Sequence, residues 1–243
     1  MTATIRGKGS YWLGSQQTTG FLKTTDFDVA PVSGDRLVVF VMNNDAAAPC
    51  ISSSSQTVQT GSSSQTWTQL GNNVVGAVGS AVGVYTAIYN GTPGTALITV
   101  SGRDNSAYAV VGVALSGAGT PAIGLFGTNT VSGTAPVAGS VGSTGDLLIT
   151  AFGINCYGTT APTAPGAPTG QTALKNAVPG TAVNLDEVYV YTFSQVLGTP
   201  GTRVASTWPN PGAGTDPNNY AVSVAIPAGV ATPSAKYGWG VLL

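Results

Sequence analysis

The chain contains no histidine, and charged residues make up only 7% of its 243 positions. An ordinary globular domain carries about 25% charged residues. Without histidine the commonest general base is missing, and so are the Ser-His and Cys-His nucleophile pairs and the usual zinc sites. The sequence therefore argues against an enzyme, and it predicts neither a cofactor nor a metal centre.

Basic stretches and long apolar runs are also missing. Eight Lys and Arg stand against nine Asp and Glu, and no stretch is basic enough to neutralise a run of phosphates, so nucleic acid is not an expected partner. No uninterrupted apolar run approaches the roughly 20 residues that span a bilayer, and we expect no membrane association. The N-terminus, MTATIRGKGSYWLG, has two cations but no apolar core, so we do not interpret it as a secretory signal.

What the sequence does contain is typical of a folded β protein. Apolar residues reach 42%, which is too high for a solvated disordered chain. Short β-branched runs alternate with clusters of Gly, Pro, Asn and Asp, and this pattern predicts many short strands and almost no α-helix. The clearest runs are Arg36–Met42, Ala96–Ser101, Tyr108–Leu115, Leu147–Phe152, Glu187–Phe193 and Tyr220–Ile226. Several are apolar on both faces, as expected for strands inside a sandwich.

One pattern occurs twice in the same order. Val84–Thr95 reads VYTAIYNGTPGT and Val190–Thr202 reads VYTFSQVLGTPGT. Seven such matches follow one another at separations of 105 to 112 residues, and they include Gly34-Asp35 with Gly145-Asp146 and Tyr108 with Tyr220. We interpret them as an internal duplication of about 110 residues, a size that suits one β-sandwich.

The predicted fold is all-β, with two tandem antiparallel β-sandwich units of jelly-roll-like type related by internal duplication. An N-terminal arm would cover residues 1–8, the first sandwich 9–119, the second 120–229 and a C-terminal docking tail 230–243. A charge-poor surface is a solubility liability for a free monomer, so the composition favours a protein covered by partners in an assembly. The apolar residues that end the tail are predicted to dock on the protein itself or on a neighbour: Tyr237, Trp239, Leu242 and Leu243.

Two polar segments, 51–65 and 157–171, occupy the same place in each unit and are interpreted as long loops. Tyr157 and Trp208 have loop-like contexts, which makes them the best candidates for surface contacts with a partner or a sugar. Even for these two residues, packing or a protein interface is favoured over a sugar site.

The carboxylates and thiols suggest little chemistry. Asp26 and Asp28, with Asp35 nearby, could form an oxygen-ligand calcium site, but the simpler interpretation is that they flank strands and turns. Cys50 and Cys156 take matching positions in the two units. Free structural thiols are favoured over a disulfide, although the sequence leaves both open.

The order of motifs in the first unit resembles a known family. A Gly-Asp precedes an apolar strand, a polar loop ends near Trp67-Thr68-Gln69-Leu70, and a V-Y-T strand, a Gly-Thr-Pro-Gly turn and a last strand closing in Leu115–Ala118 follow. This pattern resembles the repeated β-sandwich units of minor tail and related virion proteins of tailed bacteriophages; the second unit lacks the Trp-Thr and matches more loosely. The resemblance implies a virion protein, assembled in the host cytoplasm, that acts through contacts with other virion proteins and with itself.

Two other functions stay open at this point. The first is a carbohydrate- or receptor-binding module for host adsorption, with a host surface glycan as ligand. The second is a capsid shell protein of the double jelly-roll kind, although each unit is short for that fold.

Overall fold

The computed structural model describes residues 2–13, 19–43, 58–59, 66–75, 80–91, 98–101, 107–129, 135–156, 163–178, 187–207 and 218–229. The described residues form fourteen strands, a single 3-10 turn at Thr24–Asp26 and no α-helix. The strands are β1 (Thr4–Leu13), β2 (Thr19–Leu22), β3 (Arg36–Asn43), β4 (Val58–Gln59), β5 (Thr68–Val75), β6 (Ser80–Ile88), β7 (Ile98–Ser101), β8 (Tyr108–Ser116), β9 (Ala122–Ile123), β10 (Gly127–Asn129), β11 (Leu147–Cys156), β12 (Thr172–Ala177), β13 (Glu187–Val196) and β14 (Asn218–Ile226). The predicted all-β class is confirmed.

Two large antiparallel sheets organise the protein. The first has the strand order β1-β8-β3-β6-β5, and the second has the order β10-β14-β11-β13-β12, with β9 also paired to β14. A small third sheet has the order β2-β7-β4. The first large sheet takes its strands from before residue 119, and the second takes them from after it.

The largest hydrophobic core lies between the two large sheets. Val38, Phe40 and Met42 of β3 pack in one buried cluster with Ile149 of β11 and Val190 of β13. The indole Nε1 of Trp12 donates a hydrogen bond of 3.2 Å across the cluster to the carbonyl oxygen of Val188. Two tandem sandwiches with separate cores are therefore not confirmed, because each half contributes one sheet to a shared core.

The outer face of each large sheet is covered as well. On the first sheet, Leu22 and Phe27 pack over Val39 and Tyr108, and Leu22, the last residue of β2, brings the small sheet to this face. On the second sheet, segments around Ala138 and Ala205 cover an aromatic cluster, in which the rings of Phe152 and Phe193 meet edge-on at 5.9 Å. Because both faces of the central strands are covered, their sequences are continuously apolar.

The described residues also bear on the predicted boundaries. Residues 4–8, assigned to an N-terminal arm, belong to β1, which pairs with β8 along the edge of the first sheet. The docking tail 230–243, the first polar loop apart from Val58–Gln59, and residues 157–162 of the second loop lie outside the described residues.

The turn before β3 is held by Asp35. Its amide donates to the carbonyl of Val32 (3.0 Å), and the amide of Val32 donates back to the Asp35 carboxylate (2.9 Å). The Asp35 carbonyl accepts from the amide of Tyr89 (2.8 Å), which ties the start of β3 to the end of β6. Gly34 has a φ of 90°, a left-handed conformation that favours glycine.

The turn before β11 repeats this arrangement. The amide of Asp146 donates to the carbonyl of Ser143 (3.1 Å), and the amide of Ser143 donates to the Asp146 carboxylate (2.8 Å). The Asp146 carbonyl accepts from the amide of Leu197 (2.8 Å), and Gly145 has a φ of 93°. The repeated Gly-Asp thus marks the same position in both sheets.

When residues are counted from Asp35 and from Asp146, the strand pairing shows that two of the sequence matches join residues at different positions. Tyr108 pairs with Asn43, eight residues after Asp35, whereas the eighth residue after Asp146 pairs with Asn219 and not with Tyr220. Tyr108 therefore packs on the outer face of its sheet, and Tyr220 points into the shared core. The repeated V-Y-T is likewise displaced by two residues, because the position equivalent to Tyr85 is occupied by Phe193.

The two large sheets pack face to face with their strand orders running in opposite directions. β1 contacts β12 at one side, β5 contacts β9 at the other, and β3 contacts β11 in the middle. Met42 and Gly153, each seven residues after its aspartate, meet at the centre: a Cβ added to Gly153 would collide with the Met42 sulfur. Equivalent residues therefore touch each other, as they do on the axis of a twofold-symmetric interface.

Candidate functional site

The acidic groups discussed from the sequence act in turns and strand ends. The Asp26 carboxylate accepts from the amide of Lys23 (2.7 Å). The Asp28 carboxylate accepts from the amides of Lys8 (2.8 Å) and Val29 (2.9 Å), and the Lys8 ammonium lies 3.5 Å away. The hydrogen bond from the Lys8 amide is the main reason that the pKa of Asp28 lies below its usual value.

Asp35 is the most enclosed of these carboxylates. Besides the Val32 amide it accepts a hydrogen bond of 2.6 Å from Nε of Arg6, so that β1 is fastened to the turn before β3. Within the described ranges no group of three or more acidic or cysteine side chains could hold a metal ion. The carboxylates of Asp28 and Asp35 are both engaged by protein donors, and only that of Asp35 is buried.

The surface residues singled out from the sequence fall outside the described part of the chain. Tyr157, Trp208, Tyr237, Trp239, Leu242 and Leu243 all lie outside the described residues, and so does Cys50. Cys156 is the last residue of β11. The described aromatic residues serve as packing: Trp12 bridges the sheets, Trp67 packs on the outer cluster of the first sheet, and the repeated tyrosines are buried.

A groove opens at the rim of the shared core, where β3 begins and β6 ends. Its volume is about 350 Å³, and the described residues that line it are Arg36, Thr66, Thr68, Thr86, Ala87, Ile88 and Asn90. Arg36 pairs with Ile88 across the strands, and Thr68 pairs with Thr86. Since side chains alternate along a strand, Arg36 lies on the same side of β3 as the core residues Val38 and Phe40.

Arg36 is the one charged residue among the described residues of this groove. Its Nε is buried, and none of the described residues offers it a hydrogen-bond acceptor. Burial lowers the pKa of the guanidinium below its ordinary value, yet arginine stays protonated in proteins. A buried charged donor without an acceptor costs free energy, and the groove that Arg36 lines is where a ligand could approach its guanidinium.

The second sheet shows that the fold does not need a charge at this position. Leu147 directly follows Asp146 as Arg36 directly follows Asp35, and Leu147 is 5% exposed within the shared core. Sequence reasoning read Arg36 only as the first residue of an apolar strand. The signal that could have identified it was this exchange of leucine for arginine directly after a repeated Gly-Asp.

A second groove, of about 340 Å³, lies on the other side of the same turn. It is lined by apolar and small residues that include Pro31, Val32 and Tyr89. Burial raises the pKa of the Tyr89 phenol. The groove has no charged residue among its described lining residues, so it offers shape without an electrostatic preference.

None of the helical structure in the described residues is long and apolar enough to cross a membrane. Comparison of the chain with protein-family models, with curated proteins and with solved structures finds no match.

Proposed function

We propose that this protein is a structural component of a bacteriophage virion, a minor tail or capsid decoration protein that assembles with other virion proteins and with its own copies. The observation that carries the proposal is the strand order of the first half. β1, β8, β3 and β6 lie side by side in one sheet, with β2, β7 and β4 in another. This order resembles that of a jelly roll, a fold found in viral capsid and lectin domains, with the difference that β5 follows β6 in the first sheet. The step from fold to virion is an analogy and not a property of a site.

We infer further that the second half is a copy of the first. The repeated turns at Asp35 and Asp146 and the matching strand orders support this inference. The copied part is the large sheet. In the second half, β11, β13, β14 and β12 take the places of β3, β6, β8 and β5. A double jelly-roll shell protein is a related candidate, supported by the same strand order, and the position on the particle separates the two.

The surface offers apolar contacts suited to assembly. Leu125 is 83% and Val137 44% exposed, and they lie on two segments joined by a hydrogen bond of 3.0 Å from the Gly139 amide to the Leu125 carbonyl. Val196 is 59% exposed at the end of β13. Exposed aliphatic side chains on a charge-poor surface favour association.

Association of the purified protein tests the proposal. Sedimentation velocity is expected to show oligomers or co-sedimentation with phage particles. Deletion of Tyr237–Leu243 should weaken this association, and Leu125→Lys should weaken it roughly tenfold, because a charge at the contact must be desolvated. Thr128→Lys is the matched control, since Thr128 is an exposed polar residue nearby.

A protein that stays monomeric and binds no particle, with or without these changes, contradicts the proposed function. Association that is unaffected by the deletion contradicts only the docking role of the tail. Electron microscopy of particles carrying labelled protein then distinguishes a tail from a capsid position.

A carbohydrate- or receptor-binding module is the second candidate, and the groove at Arg36 favours it. Its polar lining of threonines and Asn90 suits a hydroxylated ligand. If Tyr157 and Trp208 also contact the glycan, a glycan array should give a signal that falls when either residue is changed to alanine. An array signal unaffected by both changes contradicts that part of the hypothesis.

A further inference from the structure

We propose that the groove at Arg36 binds a single carboxylate carried by a hydroxylated ligand, that is, an acidic sugar of the uronic-acid class. This inference concerns a ligand site and does not depend on the assembly function proposed above. It is carried by a buried guanidinium nitrogen that lacks an acceptor, in a groove with a hydroxyl-bearing wall.

The charge of the site selects the ligand. Arginine presents a planar fork of donors that matches a carboxylate or a phosphate in two parallel hydrogen bonds. One guanidinium compensates one negative charge, and the other described lining residues are neutral. A phosphate monoester carries about 1.5 to 2 negative charges at neutral pH, so it would be left undercompensated. A carboxylate matches the site better.

The remaining lining residues select for hydroxyl groups. Thr66 and Thr68 are exposed on the groove wall beside Asn90. Thr86 is buried, and its hydroxyl donates to the Leu37 carbonyl (2.8 Å), so toward other groups its oxygen is an acceptor. Ile88 adds an exposed apolar surface that can pack against the carbon skeleton of a ring. A volume of about 350 Å³ lies at the small end of the range for ligand pockets.

The equivalent position in the second sheet shows how to remove the site without removing the fold. Leu147 takes the position in the second sheet that Arg36 takes in the first, and it packs in the shared core. Arg36→Leu should therefore fold, with an unfolding midpoint equal to or above that of the wild type, because it replaces a partly desolvated charge with a side chain that this position tolerates. Arg36→Lys is the second variant, since it keeps the charge but loses Nε and the planar fork.

The experiment is an NMR titration of the full chain with glucuronate, observing the Nε–H resonance of Arg36 and the amides of Thr68 and Ile88. Glucose is the neutral sugar control, and a capped glutamate residue is the non-sugar carboxylate control. Glucuronate is expected to shift these resonances in a saturable way, with a Kd on the order of 1 mM, which is weak as befits a single charged contact. Glucose and capped glutamate should each bind at least tenfold more weakly.

Arg36→Leu should lower the glucuronate affinity at least tenfold, and Arg36→Lys should give an intermediate loss. Arg203→Leu is the matched control in the second half: the Arg203 guanidinium donates to the carbonyls of Thr199 and Thr202, and its loss should leave binding unchanged. Full binding by Arg36→Leu, or no saturable shift with the wild type, overturns the site. Equal binding of capped glutamate overturns the sugar assignment and points to an acidic side chain of a protein partner. Sedimentation of the same variants reports on assembly separately, so that the two proposals fail independently.

Discussion

Exchanging Met42 and Gly153 between the two sheets is expected to leave stability close to that of the wild type, although each single change is harmful. Met42→Gly alone should cost about 2–5 kcal/mol, because it opens a cavity in the shared core. Gly153→Met alone should cost about 1–3 kcal/mol or more, because its side chain would overlap the Met42 sulfur. The double variant places one methionine opposite one glycine again, and the free energy of unfolding from urea titration should recover most of the loss.

A control exchange separates the effect of the contact between Met42 and Gly153 from the effect of exchanging two equivalent residues. Val41 and Phe152 are also equivalent, each six residues after its aspartate, but they lie on opposite outer faces in different clusters. Val41→Phe and Phe152→Val should therefore add their costs without recovery. If the Met42–Gly153 exchange is as unstable as the sum of its single changes, the two residues do not meet at a common centre.

Gly7→Ala and Gly127→Ala are expected to destabilise the protein by roughly 3 kcal/mol or more each. A Cβ at Gly7 would overlap the carbonyl oxygen of Val29, and one at Gly127 would overlap that of Val137. These obstacles are backbone atoms in a neighbouring segment, so no change of rotamer relieves them. Hydrogen exchange should show the Asp28 amide, which donates to the Lys8 carbonyl at 3.0 Å, losing protection in Gly7→Ala.

Gly198→Ala serves as the reference substitution. A Cβ at Gly198 has no heavy atom within 4 Å among the described residues, so its effect should stay within about 0.5 kcal/mol. Stability of Gly7→Ala equal to that of Gly198→Ala would contradict the close backbone approach between β1 and the segment at Val29.

The central strands could be predicted from the sequence because strands that are buried on both faces consist of continuous apolar runs. Arg36–Met42 and Tyr108–Leu115 match β3 and β8 to within a residue. The edge strands β1 and β12 were not identified, since their mixed polar residues reflect exposure on one side. That the two halves share a core is not visible in either half alone, because an apolar face has the same sequence whichever sheet covers it.

The register between paired strands was harder to predict than their positions, because a displacement of one residue moves a side chain to the opposite face of the sheet. The match of Tyr108 with Tyr220 fails for this reason. The bulge at Leu70 in β5 and the bulge at Leu174 in β12 take the same position in the two sheets, and this alignment puts Gln171 at the position of Trp67. Gln171 bonds to the hydroxyl of Thr150 (2.9 Å), so a polar network replaces the contact of Trp67 with the apolar cluster.

The chain order of the shared core has a consequence for synthesis on the ribosome. The strands of the first sheet precede all those of the second, so its inner face, with Val38, Phe40 and Val111, is complete before β11, β13 and β14 exist. During that interval about a hundred residues must be translated, at roughly 5–20 residues per second, while this apolar face has no partner from its own chain. A second nascent chain from the same messenger presents an identical face at the same moment. We therefore expect premature pairing between chains to compete with correct folding, and slow translation of the second half should increase it.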